Sequence, residues 1–99
     1  MLHIVNKSPF ESSSLDSCLR AAQKGAAVLL IEDAILAATR GSKVSNLVRG
    51  SMKELRFYVL GPDIDARGMQ DRIAEGFERI DYEGFVELVV SHSTVQSWL

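Results

Sequence analysis

Cys18 is the residue of this sequence best suited to nucleophilic chemistry, because it is the only cysteine. A thiolate near the N-terminus of a helix can have its pKa lowered by the helix dipole, which favours attack on an electrophile. The same residue shares a helical spacing with Leu15, Leu19 and Ala22, and a cysteine on such an apolar stripe is usually a small buried hydrophobe. A single cysteine also excludes an internal disulfide and a cysteine-only metal site.

The two histidines and two neighbouring carboxylates are weaker candidates for a site. His3 falls within a short apolar run and His92 on the apolar side of the last predicted helix, which favours structural roles for both. Asp63 and Asp65 follow a predicted strand, where a helix cap and a solvated neighbour account for them. We therefore predict no catalytic Ser/His/Asp set and no metal or cofactor site. Neither the glycine-rich dinucleotide fingerprint nor the P-loop signature occurs in the chain.

Residues 55–68 form the stretch around which a site would be built. Residues 57–60 are typical of a buried strand, residues 61–63 of an abrupt Gly-Pro-Asp turn, and residues 64–67 of one helical turn that Gly68 ends. Open α/β sheets place their ligands and their chemistry at such strand-to-helix turns. This turn contains no cysteine, histidine or serine, so its own side chains predict no nucleophile.

The remaining segments alternate between strand and helix patterns. Strands are predicted near residues 2–5, 26–31 and 77–80, and helices behind Ser12 to Ser14, after Asp33, around residues 44–48 and after Asp81. Such alternation with short links is typical of a parallel sheet covered by helices. We predict one small α/β domain over residues 1–99, with a mostly parallel sheet of four to five strands and helices on both faces.

The C-terminal third contains more apolar surface than one helix face can bury. In the last predicted helix, Phe85 and Leu88 share a face, while Val86 and Val90 lie beside it. Trp98 and Leu99 end the sequence, and a large aromatic side chain in an ordered segment is rarely left in water. We expect these residues to pack on the domain or at a subunit interface.

Charge and composition exclude several classes of protein. The net charge is −2, but residues 40–62 carry five basic side chains against one acid, and residues 63–99 carry three against eight acids. The basic segment is small and lacks interleaved aromatic residues, which argues against nucleic acid as a direct ligand. No apolar run is long enough for a signal peptide or a membrane span, so we expect a cytoplasmic protein.

Several segments together resemble the DsrH/TusB family, which provides small subunits of the DsrEFH and TusBCD sulfur-relay complexes. They are LHIVNKSPFE with LDSCL behind it, AAVLLIEDAI, FYVLGPDIDARGM, and IDYEGFVELV followed by TVQSWL. The segments cover nearly the whole chain, and their order and spacing are more specific than any one of them. The first and last segments look closer to DsrH of sulfur-oxidising bacteria than to TusB of the tRNA-thiolation pathway.

The resemblance implies that this chain has the strand and helical turn of a persulfide site but lacks the cysteine that carries the sulfur. In the family, sulfur travels as a persulfide on a cysteine of the DsrE/TusD subunit and passes to a small carrier, DsrC or TusE. That cysteine ends a strand, ahead of a helical turn that finishes in Arg-Gly. Here the turn finishes at Arg67 and Gly68, and the place of the cysteine falls at Leu60, which cannot carry sulfane sulfur. Cys18 matches a cysteine of DsrH-like members that lies outside the persulfide position.

The resemblance predicts a non-catalytic subunit of a cytoplasmic sulfurtransferase complex that serves sulfur oxidation or tRNA 2-thiouridine formation. Its partners would be DsrE/TusD-like and DsrF/TusC-like subunits in a heterohexamer, together with a DsrC/TusE-type carrier. Neither nucleic acid nor a membrane would be a direct partner. Two alternatives remain open: a sulfurtransferase that acts through a persulfide on Cys18, and a free-standing α/β domain that binds a small ligand at residues 61–63.

Overall fold

Five short strands form one parallel sheet in the computed structural model, which describes residues 1–98. The order across the sheet is β4-β3-β2-β1-β5, and every neighbouring pair is parallel. The predicted α/β fold with a mostly parallel sheet is therefore confirmed, and the sheet has five strands. They are β1 (Leu2–Val5), β2 (Ala27–Leu30), β3 (Arg56–Leu60), β4 (Phe77–Ile80) and β5 (Val95–Trp98).

Helical segments connect the strands in sequence order. The α-helices are α1 (Ser14–Ala21), α2 (Ser45–Ser51), α3 (Gly61–Ala66) and α4 (Tyr82–Ser91), and two 3-10 helices cover Glu32–Ala38 and Gln70–Arg72. α1 ends at Ala21 because the backbone of Ala22 is already extended. The helix predicted after Asp33 is a 3-10 helix, whose last turn closes with an i to i−3 bond between Thr39 N–H and the Leu36 carbonyl.

The last strand, β5, has no counterpart among the strands predicted from the sequence. It lies along the outer edge of β1, with Val95 opposite Leu2 and Trp98 opposite Val5. Trp98 packs against the domain, which is one of the two places expected for it. The same expectation for Leu99 falls outside the described residues.

α4 carries the chain across the sheet from β4 at one edge to β5 at the other. Asp81 caps this helix as predicted, because its Oδ1 accepts the backbone N–H of Gly84 at 2.8 Å. The cap satisfies one of the N–H groups that the first turn of a helix leaves without a partner, and so it fixes where α4 begins.

Alternate strand residues face two cores of unequal size. On one face, strand residues such as Val28, Leu30 and Val59 pack with Cys18 of α1 and Val48 of α2 in the larger core. On the other face, α4 covers a smaller core, whose members are Leu2, Ala27 and Leu29 with Phe85 and Leu88 against them. Helices on both faces of the sheet are thus confirmed, although α4 alone covers the second face. Within residues 1–98, no helix has the length and apolar content that crossing a bilayer requires.

Candidate functional site

The junction between β3 and α3 lies at the carboxyl edge of the sheet. β3 ends at Leu60, whose backbone is extended, and α3 begins directly at Gly61 with Pro62 in its first turn. Proline suits that position because the first N–H groups of a helix have no partner within the helix. The predicted strand and short helix therefore exist, but the separate turn predicted at residues 61–63 does not, because these residues form the first turn of α3 and the helix starts three residues earlier than predicted.

A Schellman motif ends α3 at the Arg-Gly pair. Gly68 has φ +64, its N–H donates to the Asp65 carbonyl, and the N–H of Met69 donates to the Ile64 carbonyl. Glycine adopts this left-handed conformation without the strain that a Cβ would introduce. The motif fixes the backbone direction at Arg67 and so aims its side chain.

Arg67 joins α3 to the end of the neighbouring strand β2. Its Nε donates to Asp33 Oδ1 at 3.0 Å, and its Nη1 donates to the Asp63 carbonyl at 3.3 Å. Asp63 Oδ2 in turn accepts the backbone N–H of Glu32 at 2.6 Å. Glu32 has φ +50, a conformation that non-glycine residues rarely adopt, and the Asp63 carboxylate holds it there. Asp63 is thus a cross-link between two strand ends, and the helix-cap role predicted for it is wrong.

Arg79 and Asp65 form a second link beside the turn. Arg79 Nη2 and Asp65 Oδ2 are 2.6 Å apart. Gly61 lets the guanidinium approach the backbone, since a Cβ at this position would lie 2.7 Å from Arg79 Nε. A cavity of about 590 Å³ adjoins Gly61 and Arg79 at the N-terminus of α4. Because the arginine is already paired with a carboxylate, the described residues that line this cavity provide no free cation for an anionic ligand.

Leu60 occupies the position at which the resemblance places a persulfide cysteine. Its side chain is only 3% exposed. Tyr58 belongs to the smaller core, so the alternation along β3 puts Leu60 on the face that α4 covers. This position therefore lacks a sulfur atom and is also closed to solvent.

Cys18 lies on the opposite face of the sheet from Leu60. It belongs to the larger core with Leu15 and Val59, and it is completely buried. Burial raises the pKa of its thiol to about 12, because a thiolate would lose its hydration there. A thiol in this state is a poor nucleophile at neutral pH.

Both histidines take part in contacts within the fold. Trp98 Nε1 donates to His3 Nδ1 at 3.1 Å, which ties β5 to β1, and His3 is buried. His92 Nδ1 lies 2.7 Å from the Leu88 carbonyl and satisfies a backbone group in the last turn of α4. Among residues 1–98, no group of three or more His, Cys, Asp or Glu side chains is arranged to hold a metal ion.

The sequence did not predict the carboxylate–arginine links that hold the turn. Arg67 and Asp33 are 34 residues apart, and Glu32 and Asp63 are 31 apart, so no local spacing signals their contact. The one available signal was that carboxyl ends of neighbouring parallel strands meet at one edge of the sheet. As folded, the turn holds its own backbone rigid, but its described residues offer no nucleophile and no free cation.

Comparisons with known proteins agree with this fold. The family model described as DsrH like protein matches residues 7–95. Protein TusB of Pectobacterium parmentieri is 38% identical over 98 residues, which cover 99% of this chain and all of the relative. Protein TusB of Escherichia coli O81 is 34% identical with the same coverage.

Two solved structures share the fold at low sequence identity. The YchN protein of E. coli superposes with a TM-score of 0.77 at 20% identity and covers 97% of both chains. A Methanobacterium thermoautotrophicum protein of unknown function gives a TM-score of 0.75 at 18% identity, over 97% of this chain and 95% of its own. These two likenesses concern the fold alone. The family match and the full-length TusB relatives show that this chain belongs to the DsrH/TusB family.

Proposed function

We propose that this chain is a non-catalytic subunit of a cytoplasmic sulfur-relay complex. In that complex, a persulfide on a DsrE/TusD-like subunit is passed to a DsrC/TusE-type carrier, in sulfur oxidation or tRNA 2-thiouridine formation. The observation that supports the proposal is the buried, apolar Leu60 at the end of β3, where the resemblance places a persulfide cysteine. The chain would contribute to assembly of the complex while a sister subunit carries the sulfur.

The two alternative functions have less support from the same residues. A persulfide on Cys18 requires an accessible thiolate, whereas this thiol is buried and its pKa is raised to about 12. A ligand site at residues 61–63 would use Asp63, which already accepts the Glu32 N–H, beside an arginine that is already paired with Asp65. Neither alternative is favoured by a specific contact.

Coexpression tests the proposed function directly. Expressed with a DsrE/TusD-like and a DsrF/TusC-like subunit, the chain should co-purify as a heterohexamer with two copies of each subunit. After incubation with a sulfane-sulfur donor, intact-mass analysis should find added sulfur on the DsrE/TusD-like subunit and none on this chain. If the sisters assemble without the chain, or if the chain itself gains sulfur, the proposal is wrong. The 2-thiouridine content of tRNA in a deletion strain separates the two pathways.

Replacing Leu60 by cysteine should not restore a reactive site. In a Cys18→Ala background, Leu60→Cys is expected to cost about 2 kcal/mol because it leaves a small void in a buried position. An aromatic disulfide reagent should label this variant only after denaturation, since the replaced side chain is 3% exposed. The original chain, with Cys18 as its only thiol, is the control and should behave in the same way. Immediate labelling of the variant in the native state would show that position 60 is accessible to solvent and that the original chain lacks only the cysteine.

A further inference from the structure

α4 has two apolar faces, and the sheet covers only one of them. Phe85 and Leu88 face the smaller core. Tyr82, Val86, Val89 and Val90 recur at spacings of four, three and one, which places them along the other side of the helix. Val86 is 61% exposed and Val90 is 78% exposed. We call these four residues the outer strip of α4.

The outer strip is not what a solvated helix surface requires. Valine is a weaker helix former than alanine, lysine or glutamate, and a helix that is apolar on both sides is normally buried on both. Val95, which is also exposed, lies opposite Leu2 of the smaller core, so it is on the face of the sheet that α4 covers. Exposed apolar side chains that are grouped in this way and bordered by polar residues mark interaction sites.

The charges around the outer strip select the kind of partner. Glu83 and Glu87 on α4 and Glu78 on β4 are exposed, and α4 contains no lysine or arginine. A symmetric contact between two copies would bring Glu83 and Glu87 close to the same residues of the other copy, which is unfavourable. We propose that the outer strip of α4 binds a second protein whose contact surface is apolar and bordered by lysine or arginine side chains. On the proposed function, on which this inference rests, that protein is a sister subunit of the complex.

The basic side chains on and around α2 lie on the other side of the molecule from α4. Arg49 of α2 and the nearby Lys43 and Lys53 carry this charge, and α2 packs through Val48 on the face of the sheet opposite α4. A second copy that used these cations would therefore meet the outer strip head to tail, with its α2 side. That arrangement is the competing outcome, and the experiment distinguishes it.

The test compares two pairs of variants for binding to the co-purified sister subunits. Val86→Gln with Val90→Gln should weaken binding about tenfold or more, because both valines lose their apolar contact with the partner. Leu47→Gln is the matched control, since Leu47 is an exposed apolar residue of α2, and it should bind as the original chain does. Glutamine is a good helix former, so thermal melts followed by circular dichroism should remain close to those of the original chain.

The charge variants test the border of the contact. Glu83→Lys with Glu87→Lys should weaken binding severalfold, and raising the salt concentration should weaken the original chain but not this variant. Equal binding by the valine variant, equal loss in the Leu47 control, or tighter binding by the charge variant would each overturn the inference. If the chain alone self-associates, and both the valine variant and Arg49→Glu abolish that self-association, the outer strip binds a second copy of the chain and the inference is overturned. Failure of the original chain to bind the sister subunits would instead refute the proposed function.

Discussion

Trp98→Ala should lower the free energy of unfolding by about 3 kcal/mol, near the lower end for a tryptophan because the side chain is only partly buried. Trp98 packs against the larger core from β5, and its Nε1–H is the donor to His3 Nδ1. Without it, the four-residue edge strand retains little besides its backbone bonds to β1. Urea unfolding followed by circular dichroism measures the loss. A smaller m-value in the variant would show that β5 has already detached in the native state.

Trp98→Phe separates the packing of the ring from its hydrogen bond. Phenylalanine keeps most of the apolar contact but has no N–H, so its cost should be about 1 kcal/mol. If Trp98→Phe is as damaging as Trp98→Ala, the hydrogen bond and not the packing holds β5 in place. Trp98 is the only tryptophan, so its fluorescence reports on the same contact in the original chain.

The His3 contact also sets a pH dependence. Burial, followed by repulsion from the N-terminal ammonium, holds the pKa of His3 below its ordinary value of about 6.5. The unfolded chain therefore binds more protons than the folded chain below that pH. The contribution of neutral His3 to stability is complete above about pH 6.5 and is lost as the pH falls through the lower pKa of the folded state. Trp98 fluorescence should change over the same range, because a protonated Nδ1 can no longer accept from the indole.

Much of the fold followed from local pattern. The continuous apolar run that becomes β2, the capping Asp81 before α4 and the Gly-Pro pair that begins α3 each carry a strong local signal. β5 carried none, because Gln96 and Ser97 give it neither alternation nor a continuous apolar run. Its strand conformation comes from the free edge of β1, which is a tertiary effect and cannot be read from a short window of sequence.

The candidate site was predictable in position but not in its connections. The end of β3 before residues 61–63 could be placed from glycine and proline alone, although these residues begin α3 and form no separate turn. That Asp63 would hold the Glu32 backbone at φ +50 depends on two strands lying side by side, and local propensity opposes that conformation. The closed environment of Leu60 likewise depends on how α4 crosses the sheet, since the sequence indicates only that the residue is apolar.

Gly76→Ala should lower the free energy of unfolding by about 2 kcal/mol, because it adds backbone strain and displaces the end of a flexible side chain. Gly76 has φ +97, and a Cβ at this position would lie 2.6 Å from Met52 Sδ and 2.8 Å from its Cε. Met52 packs against the larger core, so moving its end disturbs apolar contacts there. Thermal and urea unfolding of the variant measure the combined cost.

Two controls divide that cost between its causes. Gly41 has φ +74, and a Cβ there would meet nothing beyond its chain neighbours within 4 Å, so Gly41→Ala should show the backbone strain alone, about 1 kcal/mol. In a Met52→Ala background, the cost of Gly76→Ala should fall to that of the Gly41 control, because the clash has been removed. The difference between the two backgrounds is the coupling free energy of the contact. If the cost is unchanged by Met52→Ala, the methionine side chain gives way freely, and the strain at φ +97 accounts for the whole effect.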